Sequence, residues 1–154
     1  MKQSVDFSFE KPEESNGYLL WQLTMLWQRK MKRALDELDL THTQFVLLAA
    51  LGWLSKQNGT VTQVDIANHS NTDRMMVSKV LRTLQDKNFI ARREHKTDTR
   101  AKSILLTKNG QDKLQKALKI VSQVDKDFFS VLKSNEKTFN QNMQTLVAQN
   151  DQAE

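Results

Sequence analysis

Residues Thr62–Thr107 read TQVDIANHSNTDRMMVSKVLRTLQDKNFIARREHKTDTRAKSILLT. Thr62 followed by Asp65 has the form of a capping box, in which the hydroxyl accepts from the third backbone N–H and the acid reaches back. A helix is therefore expected from Gln63. Ser70 followed by Asp73 repeats the signal, so a second helix is expected over roughly Asn71 to Lys87. The short spacing between the two starts is that of a helix-turn-helix corner rather than a loose loop. Beyond it, Phe89–Arg92 and Ser103–Leu106 read as strands joined by the charged segment Glu94–Arg100. Two helices at a tight corner, followed by a hairpin, are the layout of a winged helix.

A period of 3.6 residues sorts the second helix into two faces. Met76, Val77, Val80, Leu81 and Leu84 fall on one arc, which should bury. Met75, Ser78, Lys79 and Arg82 fall on the other, offering a hydroxyl, two cations and a thioether, the mixed chemistry that a DNA major groove accepts. Taken alone, the same pattern fits an ordinary amphipathic helix with a solvated face. The charge distribution favours the first reading. Between Asn71 and Lys102 there are nine Lys or Arg against four Asp or Glu, whereas the rest of the chain carries fourteen of each. The whole net charge of +5 thus lies in the second helix and the hairpin, as expected of a surface that displaces counterions from phosphates.

The run Arg92, Asp98-x-Arg100 and Leu106-Thr107-x-x-Gly110 resembles the signature of the MarR family of bacterial winged helix-turn-helix transcriptional regulators. The resemblance extends over roughly Tyr18 to Val147. It implies a homodimer on a palindromic double-stranded operator, with the second helix in the major groove and Arg100, oriented by Asp98, in the adjacent minor groove. The DNA-binding set expected on this basis is Asn71, Thr72, Arg74, Met75, Ser78, Lys79, Arg82, Arg92, Asp98 and Arg100. Of these, Asn71, Thr72 and Arg74 sit at the amino end of the helix, where free N–H groups favour a phosphate. The family also implies a pocket for a small aromatic or amphipathic effector between the flanking helices and the DNA-binding lobe. Here that points to Tyr18, Trp21, Met25 and Trp53, which can equally be core and dimer contacts.

Outward from this stretch, residues 1–17 are polar, hold the only proline and show no periodicity, so a poorly ordered arm is expected. Leu19, Leu23, Leu26, Trp27, Met31, Leu35 and Leu38 recur at helical spacing, giving a long helix over about 18–39. Its apolar residues spread around the cylinder, with Trp21 and Trp27 on different sides. Trp21 either closes the domain's own core or meets a second subunit. Thr41 and Gln44 form another capping box before an almost wholly apolar helix that ends ahead of Asn58-Gly59, and Thr60-Val61 can add a short third strand. Thr107 can cap a helix from Lys108, with a break near Lys133-Ser134-Asn135 and a last helix from Glu136. The expectation is a mainly α fold: one domain over 18–150, with a DNA-binding lobe at about 41–107 between dimerisation helices at about 18–39 and 108–150.

Composition narrows the function classes. At 154 residues and 38% hydrophobic content one modest core is expected. There is no cysteine, which removes disulfides, thiolate metal sites and thiol redox sensing. No apolar run approaches the ~18 residues needed to span a bilayer, and the N-terminal segment lacks the apolar core of a signal peptide, so a cytoplasmic protein is expected. His42, His69 and His95 are isolated, the four glycines are scattered singly, and no serine stands in a nucleophile-elbow context. Neither an enzyme nor a metal or cofactor site is expected. The leading reading is a sequence-specific DNA-binding regulator, a repressor relieved by a small molecule. The alternative is a winged helix used as a protein-interaction module without specific DNA recognition.

Overall fold

A computed structural model describes residues 4–57, 59–94 and 102–151. The element order is a 3-10 turn at Pro12–Glu14, then α1 (Asn16–Asp36), α2 (His42–Gln57), α3 (Gln63–Ser70), α4 (Arg74–Asp86), β1 (Ile90–Glu94), β2 (Lys102–Leu106), α5 (Lys108–Phe129), a 3-10 segment (Ser130–Asn135) and α6 (Glu136–Asn150). The expected mainly α architecture with a two-stranded antiparallel hairpin is the one found. The register pairs Ile90 with Leu106 and Glu94 with Lys102. Residues 60–62 contribute a single bridge, Thr62 to Ser103, and an Ile104 N–H donated to the Val61 carbonyl, rather than a third strand.

The core gathers around α2, whose Phe45, Leu47, Leu48, Ala50 and Leu51 are all buried. Ile66 and Ala67 of α3, Val77, Leu81 and Leu84 of α4, Ile90 and Ile104 of the hairpin, and Leu114 and Ala117 of α5 close on it. Removing this apolar area from water is the main stabilising term for the lobe. Trp21 is not part of it, since the side chain is 62% exposed. Trp27 is instead the contact between layers: its indole N–H donates to Asp125 Oδ1 of α5 at 2.9 Å, and its ring meets the His42 imidazole edge-on with centroids 4.9 Å apart. Burial holds that imidazole below its ordinary range, with the Asp125 charge pulling the other way.

Three helices end alike. Asp39, Asn71 and Asn88 take left-handed backbone angles, with φ of 54°, 48° and 61°. The next residue then donates five positions back: Leu40 to Leu35, Thr72 to Ala67 and Phe89 to Leu84. These are Schellman closures, in which Asn and Asp do the work that glycine usually does. They correct three boundaries. The first helix stops at Asp36 rather than near Asp39. Phe89 belongs to the closure of α4 and not to β1. The helix expected from Asn71 begins at Arg74, because Asn71 closes α3 and the N-cap of α4 is Asp73.

Candidate nucleic-acid interface

The corner is built from local hydrogen bonds. The Thr62–Asp65 capping box forms with both arms: the Asp65 N–H donates to Thr62 Oγ1, and the Thr62 N–H donates to Asp65 Oδ2 at 2.8 Å. Ser70 does not cap the second helix, because its hydroxyl donates to the Ile66 carbonyl at 2.7 Å inside the last turn of α3. The Thr72 hydroxyl donates to the Ser70 carbonyl at 3.1 Å. Asp73 Oδ1 then accepts from the Met75 and Met76 N–H groups at 2.9 and 3.1 Å. A carboxylate is therefore already seated on the N–H groups that were expected to favour a phosphate.

On α4 the faces separate only in part as the period requires: Met76, expected on the buried arc, lies in the first turn at the edge of the core and is 48% exposed, and Val80 is half-buried. Val77, Leu81 and Leu84 are buried, whereas Arg74, Lys79 and Arg82 are exposed, Ser78 is half-buried and Met75 is 82% exposed. Lys87 leaves the basic face: its ammonium donates to the Asp39 carbonyl at 2.7 Å and reaches Gln44 Oε1 at 3.4 Å, tying the end of α4 to the α1–α2 corner. Arg92 is half-buried on β1, and its Nε, out of contact with solvent, has no hydrogen-bond partner among the described residues. Arg93 and Lys102 are exposed on the hairpin. Asp98 and Arg100 lie outside the described residues.

The four residues expected at a pocket are not brought together. Tyr18 and Trp21 are exposed on α1, Met25 lines a groove of about 380 Å³ with Gln28, Arg29 and Lys32, and only Trp53 lines the main cavity. That cavity, of about 760 Å³, lies between the Phe45–Lys56 face of α2, the Leu114–Leu118 face of α5, Leu106 of β2, and His69 and Ser70 at the end of α3. Sequence reasoning missed His69, Ser70, Lys56, Gln111 and Gln115 as lining residues. The helical spacing of 45, 49 and 53 and of 111, 114 and 118 could have marked two of its walls. Nothing local marks the third wall, because α3 meets the other two only in the folded chain.

Among the described residues no group of three or more His, Asp or Glu is placed to hold a metal ion. No helix among them is long and apolar enough to cross a membrane.

Comparison with known proteins bears on this geometry. A family model described as the MarR family matches residues 40–102, which span α2 through the start of β2. The uncharacterized HTH-type transcriptional regulator YdcH of Bacillus subtilis is 45% identical over 128 residues, covering 83% of this chain and 87% of that protein. Among solved structures, the Staphylococcus aureus MepR–DNA complex superposes with a TM-score of 0.79 at 26% identity, over 88% of this chain and 98% of that one. Bordetella bronchiseptica BpsR, solved in work on the regulation of its DNA binding by 6-hydroxynicotinic acid, gives 0.79 at 21% identity over 97% and 100%. The fold, the site and the 45% identity to an HTH-type regulator agree, and the chain belongs to the MarR family of winged helix-turn-helix transcriptional regulators.

Proposed function

We propose that this regulator is a homodimeric repressor that binds a palindromic double-stranded operator and is released from it by a small molecule. The observation that carries the DNA reading is the outward stripe of α4. Met75, Lys79 and Arg82 are exposed on one face of a helix whose other face is buried in the core, so the stripe is held rigidly and points away from the domain. Ser78 flanks it, and Asn71, Thr72 and Arg74 surround its leading end. Arg92, together with Asp98 and Arg100, supplies the hairpin's share, with Arg100 in the minor groove.

Two further observations support the finer parts of the reading. Leu20 and Trp21 on α1 and Leu146 and Val147 on α6 are all more than 60% exposed, and no residue of α6 is buried. A second copy of the same helices covers such surface most economically and sets two recognition helices ~34–36 Å apart along the duplex. The cavity has the size usual for small-molecule sites, which run from about 300 to 1,000 Å³. His69 and Ser70 immediately precede the turn into α4, so an occupant pressing on them acts on the corner that positions the DNA-reading stripe.

Selection of bound sequences from a random DNA pool tests the function. A palindromic site that outcompetes bulk DNA by several orders of magnitude is expected. Binding without such a ratio overturns the reading in favour of a basic interaction module.

A further inference from the structure

Resting on the operator-binding reading above, we infer that Met75 reads the C5-methyl group of a thymine in each half-site. Met75 is the most exposed large apolar side chain among the described residues, at 82%, and its neighbour Met76 is 48% exposed. A single apolar side chain on a surface calls for no explanation. This one stands one turn before Lys79 and two before Arg82, at the leading end of the stripe that carries the exposed cations.

The backbone around it narrows what it can contact. The Met75 and Met76 N–H groups are both occupied by the Asp73 carboxylate. These two amides are therefore not free to donate to a base edge or a phosphate, and the Asp73 charge disfavours a phosphate approaching them. Beside the exposed Arg74 cation, the apolar group this end can extend into a groove is the unbranched, polarizable thioether of Met75, which adapts its shape to an apolar surface. In the major groove the one methyl group on offer is that of thymine; every other feature of the base edges is a donor, an acceptor or a C–H. Covering that methyl removes apolar surface from both sides at once. Loss of one such methyl contact corresponds to roughly fourfold in affinity for each half-site.

Deoxyuridine provides the test, since it keeps every hydrogen-bonding group of thymine and lacks only the methyl. An operator enriched from a random pool is rebuilt with each thymine in turn replaced by deoxyuridine, symmetrically in both half-sites. It is titrated with the full-length protein and with Met75→Ala and Met75→Leu. One position is expected at which deoxyuridine weakens the wild-type protein by roughly 10–20-fold across the two half-sites, weakens Met75→Leu comparably, and leaves Met75→Ala unchanged. At that same position 5-methylcytosine is expected to bind wild type more tightly than cytosine does, with no such difference for Met75→Ala. Because Met75 is exposed, the variants keep the wild-type melting midpoint. Uniform indifference to deoxyuridine, or a loss shared equally by Met75→Ala, overturns the inference and leaves the operator-binding reading intact. Failure to enrich any sequence from the pool overturns both.

Discussion

Gly110, in the first turn of α5, lies so close beneath the backbone of Phe89 that a Cβ built on it would overlap the Phe89 carbonyl oxygen and stand 2.8 Å from its carbonyl carbon. The same carbonyl accepts the Thr107 N–H at 3.0 Å, and Thr107 Oγ1 accepts the Gly110 N–H at 3.0 Å. The entry to α5 is thus seated directly on the closure of α4. Gly110 does not need a left-handed backbone here; it is the only side chain small enough. Gly110→Ala is expected to destabilise the domain by about 3 kcal/mol, because backbone and not a flexible side chain must move. For a chain of this size that lowers the melting midpoint by roughly 6–12 °C. An unchanged midpoint would show that the two segments separate freely.

Why some features were readable from the sequence and others were not follows from their range. The caps at Thr62–Asp65 and Thr41–Gln44 are contacts between residues three apart, and both form as the sequence implies. The buried arc of α4 was legible because Val77, Leu81 and Leu84 repeat at helical spacing. The start of α4 was misjudged because Ser70 and Asp73 are both competent caps. The choice between them is made by Asn71, whose left-handed angle ends α3 one residue after Ser70. With four glycines and one proline in the chain, helix ends are marked by Asn and Asp, which carry no unambiguous signal. The main cavity was the least legible feature, since it joins α2, α3 and α5 between Phe45 and Leu118, far apart in the sequence.

His42 makes stability depend on pH. Burial lowers its folded-state affinity for a proton and Asp125 opposes that only in part. The unfolded chain therefore binds more protons than the folded one near and below the ordinary histidine value of 6.5. Stability should be complete above that value and fall as the pH drops towards the lowered folded value. His42→Gln should remove this component, so the gap between the two melting curves narrows or reverses on acidification. Asp125→Asn keeps an acceptor for the Trp27 indole and should lower the His42 titration further, read by NMR. A wild-type midpoint that tracks His42→Gln from pH 7.5 to 5 would refute the assignment.

The hairpin residues Asp98 and Arg100 make a prediction that runs against charge counting. Asp98→Ala adds a positive charge near DNA and on that ground should tighten binding. If Asp98 instead fixes the Arg100 guanidinium for a narrow minor groove, both Asp98→Ala and Arg100→Ala weaken binding. The double variant then loses less than the sum, because the acid acts through the arginine. Arg100→Ala should also flatten the salt dependence by about one ion per subunit. Strict additivity, or tighter binding by Asp98→Ala, would break the pairing.

The surface of α6 separates a monomer from a dimer. Leu146 and Val147 are exposed at 63% and 67%, so in a monomer Leu146→Lys with Val147→Lys should change nothing beyond solubility. If a second copy covers them, two buried cations face apolar surface and the dimer dissociates. Sedimentation of the wild type and the double variant at matched concentration gives the answer. A variant that remains dimeric and binds its operator normally would place the interface elsewhere.

Asp73 sets two effects of opposite sign against each other at the leading end of α4. Its carboxylate satisfies two N–H groups that no other residue reaches, and loss of such a cap costs about 1 kcal/mol. If α4 reads the operator as proposed, the same charge stands at the helix end nearest the DNA, where an anion weakens association and lowers the encounter rate. The two contributions separate by choice of substitution. Asp73→Ala removes cap and charge together, so the melting midpoint should fall while the electrostatic part of DNA binding improves. Asp73→Ser retains a capping oxygen without the charge, so stability should be nearly kept and operator binding at low salt should tighten. Because the gain is electrostatic, it should shrink as salt rises and the Debye length falls from about 10 Å at 0.1 M towards 3 Å at 1 M. If Asp73→Ser binds more weakly than wild type at every salt concentration, the carboxylate itself orders the interface, and its role is more than that of a cap.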